Sequence, residues 1–143
     1  MPEAAPTTVR WFALPLLALG AAGFAAFWVL LALLLGRQCA WLAPLAALDI
    51  ALLQGLARWP HGAGRALAAT LATALTVALA NYMIAAGQIG MGFGLRPGES
   101  ALRMGPDYAW LLVTLANSRA DLVWYAAGIA LAAWTGLRRR RAP

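Results

Sequence analysis

The stretch that decides the fold is ALAATLATALTVALANYMIAAGQIG, residues 66–90. It contains 25 residues and no formally charged side chain. An α-helix of this length extends roughly 37 Å, at about 1.5 Å per residue. Since the hydrocarbon core of a bilayer is about 30 Å thick, the stretch predicts a helix that crosses a membrane with some tilt.

The same stretch carries its two amide side chains on one line of the predicted helix. Asn81 and Gln88 are seven residues apart and continue the spacing of Leu67 and Ala74. An amide that faces lipid lacks a hydrogen-bond partner, so we expect Asn81 and Gln88 to face other helices. The opposite side is rich in alanine, which allows neighbouring helices to approach closely.

The composition excludes an ordinary water-soluble domain, because the 143-residue chain is 63% hydrophobic and only 11% charged. All eleven basic residues are arginine, and four of them form the terminal run 138–141. The others flank apolar runs, so membrane orientation and anionic lipid explain the net charge of +6 better than nucleic-acid binding does. Cys39 is the single cysteine, which excludes an intrachain disulfide.

Four apolar runs are predicted to span the membrane, at residues 11–36, 38–57, 66–90 and 119–137. They lie between an N-terminal tail, residues 1–10, and a basic C-terminal tail, residues 138–143. The first run has 26 residues, whereas the apolar core of a signal peptide has about 7–15, so we interpret it as an uncleaved helix. Pro44 is expected to kink the second span.

The last apolar region, residues 107–137, is too long for a simple span and is interrupted by a polar segment. Within that segment, Ser118 and Asp121 have the spacing of a capping box, in which a helix begins after the serine. This favours a short interfacial helix at residues 107–116, followed by a separate span. The alternative is one tilted helix that turns Arg119 and Asp121 towards the protein interior.

The distribution of arginine predicts the orientation. With both termini in the cytoplasm, seven arginines lie on the cytoplasmic side and four lie outside, as the positive-inside rule requires. The predicted fold class is therefore all-α: an antiparallel bundle of four transmembrane helices, with a short interfacial helix before the last span. The predicted location is a bacterial-type inner membrane.

Asp49 is the one acid deep in an apolar run, where an ionised carboxylate is disfavoured by roughly 2.5–3.5 kcal/mol. From the outer face, helix geometry places Asp49 about 16 Å deep and Asn81 about 14 Å deep, so we expect their side chains to meet or share a water. Gln54, nearer the far end of the span, completes the predicted intramembrane polar site. Such a site would either relay protons or bind a cation, or simply hold helices together.

A second polar group is predicted at the outer surface, between the third and fourth spans. Its members are Gln88, Arg96, Glu99, Arg103, Asp107, Asn117, Arg119 and Asp121. Arginines beside aromatic rings could hold a lipid phosphate or another anionic ligand. The alternative is a solvated loop whose charges pair locally.

The chain lacks the residues that catalytic and redox membrane proteins commonly use. His61 is the single histidine, so neither a histidine-based metal site nor a bis-histidine haem site can be assembled. Lysine is absent, and Ser118 has no nearby base to activate it. We therefore predict no metal and no other cofactor.

These features predict a non-enzymatic accessory or assembly subunit, or a lipid-binding protein. The expected partners are membrane lipids and either further copies of the chain or a larger membrane protein. One alternative is a small oligomeric proton-coupled transporter or channel that uses Asp49. Another is a lipid-modifying enzyme with a site at the outer face.

Overall fold

The computed structural model describes residues 11–138, and the described chain is all-helical, as predicted. Its helices are α1 Ala13–Leu35, α2 Leu42–Leu56, α3 Ala63–Gly92, α4 Pro97–Arg103, α5 Pro106–Ala116 and α6 Arg119–Leu137. The predicted N-terminal tail and all of the C-terminal tail after Arg138 lie outside the described residues.

Three helices, α1, α3 and α6, are long and apolar enough to cross a membrane, which indicates a membrane protein. The second predicted span, residues 38–57, is shorter than expected. α2 has 15 residues and begins at Leu42, whereas the predicted span begins at Gln38. Its helix is about 22 Å long, less than the roughly 30 Å of a hydrocarbon core.

The late start of α2 has a tertiary cause. α1 ends at Leu35 and is capped by Gly36, whose φ of 61° closes the helix in the left-handed conformation that glycine accepts. The buried Trp28 of α1 then donates its indole N–H to the carbonyl oxygen of Gln38 at 2.8 Å. This bond holds the chain in a turn that passes through Cys39, at a φ of 53°, before α2 begins.

The packed helices alternate in direction. α1 and α3 run in the same direction. Near the starts of the two helices, Leu14 of α1 and Ala68 of α3 line one groove, and near their ends Leu33 of α1 contacts Gly87 of α3. α2 and α6 run the opposite way. The amide N–H of Gly62, just before α3, donates to the carbonyl of Gly136, near the end of α6, at 3.2 Å.

α6 packs through three small buried residues, Gly128, Ala132 and Gly136, spaced four apart. A Cβ atom on Gly128 would lie 2.7 Å from the carbonyl carbon of Ala43 in α2. A Cβ atom on Gly136 would overlap the Cα atom of Ala66 in α3. The small residues therefore let the backbone of α6 touch the backbones of two neighbouring helices, which is how helices associate in lipid.

The segment after α3 folds back against it. α4 packs along the end of α3, where the hydroxyl of Tyr82 donates to the carbonyl oxygens of Ala101, at 2.6 Å, and Met104, at 3.1 Å. With a single hydrogen, the hydroxyl can serve only one of these acceptors at a time. α5 follows directly and also packs against α3.

α5 and α6 are separate helices, so the alternative of one continuous tilted helix is wrong. The backbone N–H of Ser118 donates to Asp121 Oδ2 at 2.7 Å, and the backbone N–H of Asp121 donates to Ser118 Oγ at 3.3 Å. This is the capping box that the sequence predicts, and it satisfies amide groups that have no partner within the helix. The interfacial position of α5 stays a prediction.

Candidate functional site

Three polar side chains from three helices meet in the interior. They are Asn81 of α3, Asn117 at the end of α5 and Tyr125 of α6. Asn117 Nδ2 donates to Asn81 Oδ1 at 2.8 Å, and the Tyr125 hydroxyl donates to Asn117 Oδ1 at 2.6 Å. The same hydroxyl lies 3.3 Å from Asn81 Oδ1. We call these three residues the asparagine–tyrosine network.

The network has little hydrogen-bonding capacity left over. Asn117 Nδ2 also donates to the carbonyl of Val113 at 2.8 Å, which uses both of its hydrogens. Asn81 Nδ2 donates to the carbonyl of Val77 at 2.9 Å, which leaves one amide hydrogen. That hydrogen and the lone pairs of the Tyr125 oxygen could bind one further polar group.

The network lies at the wall of a groove of about 600 Å³ between α3, α5 and α6. The other lining residues are mostly aliphatic or aromatic: Ala74, Val77, Ala78, Tyr82, Pro106, Ala109, Trp110, Val113, Thr114, Leu122 and Ile129. We call it the α3–α5–α6 groove. Apolar walls with a few convergent polar groups are typical of a site for an apolar or amphipathic ligand.

The polar side chains of this groove are hydrogen-bonding groups. Amides and a phenol can donate and accept hydrogen bonds, but the network contains no nucleophile held beside a base. Among residues 11–138, no three His, Cys, Asp or Glu side chains come together as metal ligands would.

Asp49 does not join the network. It is half-buried on α2, beside the exposed Leu45 and Leu52, and has no hydrogen-bond or ion-pair partner among residues 11–138. The expected direct contact with Asn81 is therefore not observed. Asn81 faces the junction of α5 and α6, whereas Asp49 lies at the edge of the outward face of α2.

Gln54 is also separate from both Asp49 and Asn81. It is buried near the end of α2 and donates to the carbonyl of Arg65 at 3.0 Å. The buried guanidinium of Arg65 in turn donates to the carbonyls of Trp59, at 2.9 Å, and Ala51, at 3.2 Å. These hydrogen bonds connect the end of α2 to the start of α3, so this cluster holds the two helices together.

The predicted outer group is divided between several places. Asn117 belongs to the network, while Gln88 and Asp121 line a separate polar cavity of about 740 Å³, the outer pocket. Gln88 is thus exposed there and does not lie between helices as expected. Glu99 accepts a hydrogen bond from the backbone N–H of Arg96 at 3.1 Å, an ordinary helix-start contact.

The remaining members of the outer group are exposed: Arg96, Arg103, Asp107 and Arg119. They form no ion pair with other residues of the described chain, so the local pairing expected of a solvated loop is not observed for them. Three exposed guanidinium groups, those of Arg96, Arg103 and Arg119, are therefore available to an anion.

Sequence reasoning missed two of the residues that organise the interior. Tyr125 is not among the candidate residues of the sequence analysis, but it is buried and bonded to both asparagines. Arg65 is predicted as a flanking charge, but only 7% of its surface is exposed. The available signals were a glutamine near the end of one apolar run with an arginine at the start of the next, and a tyrosine about two turns inside a capped helix.

Comparison of the chain with protein-family models, curated proteins and solved structures gives no match.

Proposed function

We propose that this chain is a non-enzymatic integral membrane protein that binds a membrane lipid, with an acyl chain in the α3–α5–α6 groove. The observation that carries the proposal is the groove itself, whose walls are apolar and which has a buried polar network at one place. An acyl chain fits the walls, and a carbonyl or hydroxyl of the lipid fits the spare amide hydrogen of Asn81.

Charge near the groove supports an anionic headgroup. Arg103 ends α4, and Pro106, only three residues later, lines the groove. Arg103 is exposed and has no acidic partner in the described chain, so its guanidinium is available to a phosphate. A phospholipid would therefore have its phosphate at Arg103 and one chain along α3, α5 and α6.

In this proposal α1, α2, α3 and α6 all cross the membrane, and both termini are cytoplasmic. Arg58 and Arg65 then lie at the cytoplasmic end, and Arg37 lies outside with Arg96 and Arg103, in keeping with the positive-inside rule. The short α2 would be accommodated by local thinning of the bilayer or by the turns that flank it, each at a modest cost. α5 would lie near the outer interface.

The transporter alternative receives less support. A coupling acid needs access to water, and Asp49 lines neither the α3–α5–α6 groove nor the outer pocket. The accessory-subunit alternative is favoured by one observation, a groove along α1 and α3 lined mainly by small alanines and leucines. A foreign membrane helix could pack there closely.

The test of lipid binding is a substitution that fills the groove. Ala78→Phe places a ring in the α3–α5–α6 groove, and Ala26→Phe places the same ring on the exposed face of α1 at about the same depth. Overcrowding costs about 1–3 kcal/mol, so phospholipid retention should fall roughly tenfold for Ala78→Phe and stay unchanged for Ala26→Phe.

The readout is the fraction of protein that carries phospholipid in native mass spectrometry after purification in mild detergent. Equal lipid retention by Ala78→Phe, Ala26→Phe and the natural chain would exclude the groove as the binding site. Co-purification of a stoichiometric membrane protein, lost on substituting Ala72 in the α1–α3 groove by Phe, would favour the accessory-subunit alternative.

A further inference from the structure

The outward face of α2 has the pattern of a helix–helix contact. Leu45, Asp49, Leu52 and Leu56 follow at spacings of four, three and four residues, and the three leucines are 43–66% exposed. This is the a/d spacing of two helices with knobs-into-holes packing. Gly55, on the flank, is also exposed, and a Cβ atom there would meet nothing within 4 Å.

Asp49 is the central residue of α2, seven positions from each end. A carboxyl group at the middle of a bilayer is costly unless it finds a partner, and no partner is present among residues 11–138. Asp49 and the exposed leucines lie on the same face of α2. One helix packed against this face would therefore both cover the leucines and supply a hydrogen-bond partner for Asp49.

We propose that this face is the contact surface between two copies of the chain, with the two Asp49 side chains paired across a two-fold axis. Two copies inserted in the same orientation place their Asp49 residues at equal depth without any adjustment of register. Two neutral carboxyl groups satisfy each other, since each donates one hydrogen and accepts another. A single polar residue in a heptad seam is a known way to fix register and limit assembly to two helices.

The composition of the helices favours a carboxyl pair over an ion pair within such a dimer. No arginine or lysine occurs in α1 or α2, in α3 after Arg65, or in α6 after Arg119. A second copy therefore offers no cation at the depth of Asp49, whereas it always offers another Asp49.

Cysteine cross-linking in membranes tests this contact. In a Cys39→Ala background, Leu52→Cys places a thiol on the proposed face. Leu19→Cys serves as the matched control, because Gly20 contacts Leu53 and so Leu19 lies at a similar depth on exposed α1. We expect Leu52→Cys to form covalent dimers on mild oxidation at least about tenfold faster than Leu19→Cys. Equal rates, or no dimer with Leu52→Cys, would overturn the proposal.

A second measurement tests the role of Asp49. Asp49→Asn keeps a side chain that can pair with its own copy, whereas Asp49→Leu removes the pairing and keeps the apolar surface. In nanodiscs loaded at low protein density, the dimer fraction should be retained by Asp49→Asn and reduced several-fold by Asp49→Leu. Monomers for the natural chain, or dimers at undiminished fraction for Asp49→Leu, would contradict the paired carboxyl groups.

Discussion

Gly128→Ala and Gly136→Ala are expected to destabilise the protein strongly, at the upper end of the roughly 1–3 kcal/mol that overcrowding of a packed interior costs. The added methyl group meets backbone atoms at both sites, those of Ala43 and Ala66. A backbone cannot move aside as a side chain can, so α6 must shift away from α2 or α3 and lose contacts along its length.

The measurement is the midpoint of thermal unfolding in mild detergent, and Gly23→Ala is the matched control. Gly23 is exposed on α1, and a Cβ atom there meets nothing within 4 Å. It should raise the midpoint slightly, because replacing glycine inside a helix by alanine gains about 0.5–1 kcal/mol. If the two α6 variants unfold at the same temperature as Gly23→Ala, the backbone contacts of α6 are wrong.

Asn81→Leu is expected to have the second large effect. The substitution removes Asn81 Oδ1, which accepts a hydrogen bond from Asn117 Nδ2 at 2.8 Å and a weaker one from the Tyr125 hydroxyl at 3.3 Å. The Asn117 amide and the Tyr125 hydroxyl then lose this acceptor in the interior. Interhelical hydrogen bonds in membrane proteins average about 0.6 kcal/mol and reach about 1.7. We therefore expect a loss of about 1–2 kcal/mol, which unfolding in mixed detergent can measure.

A double-mutant cycle distinguishes loss of the network from general damage. Asn81→Leu and Tyr125→Phe should be non-additive by about 0.5 kcal/mol or more, because both remove the same network. Asn81→Leu and Thr70→Val should be additive, since Thr70 donates only to the carbonyl of Ala66 in its own helix. Additivity in both cycles would mean that Asn81 and Tyr125 do not act together.

The sequence was most informative where apolar runs and local caps decide the structure. The predicted run 119–137 coincides with α6, and the run 66–90 lies within α3. Ser118 and Asp121 are three residues apart, so their capping box depends only on local geometry and can be predicted from the sequence. The residue at which α2 begins could not be predicted in this way, because it depends on the long-range hydrogen bond from Trp28 to the carbonyl of Gln38.

The candidate site was harder to predict, because depth along a helix says little about the direction that a side chain faces. The sequence predicts Asn81 and Asn117 in two different polar groups, with Asp49 as the partner of Asn81. Asn117 instead reaches Asn81 because the chain breaks between α5 and α6 and returns beside α3. That meeting is a long-range feature, and no short spacing in the sequence encodes it.

The contacts of α6 likewise could not be predicted from the positions of the polar residues. Gly128 and Gly136 carry no chemistry, yet they set the distance between three helices. Two features create the α3–α5–α6 groove. The chain break between α5 and α6 lets α5 lie along α3, and the small residues of α6 let that helix pack closely against α2 and α3. The proposed lipid site therefore depends on the same features as the fold.

We expect the apolar helices to lie in a membrane and to cross it four times, including the short α2. This arrangement is tested most directly by labelling single cysteines in intact cells with a membrane-impermeant maleimide, in the Cys39→Ala background. The positions are Arg37, before α2; Gly64, at the start of α3; and Gly98, in α4. We expect Arg37→Cys and Gly98→Cys to be labelled from outside, and Gly64→Cys only after the cells are opened. Labelling of Arg37→Cys and Gly64→Cys from the same side would contradict the four-span arrangement, and recovery of the protein in the soluble fraction would contradict the membrane itself.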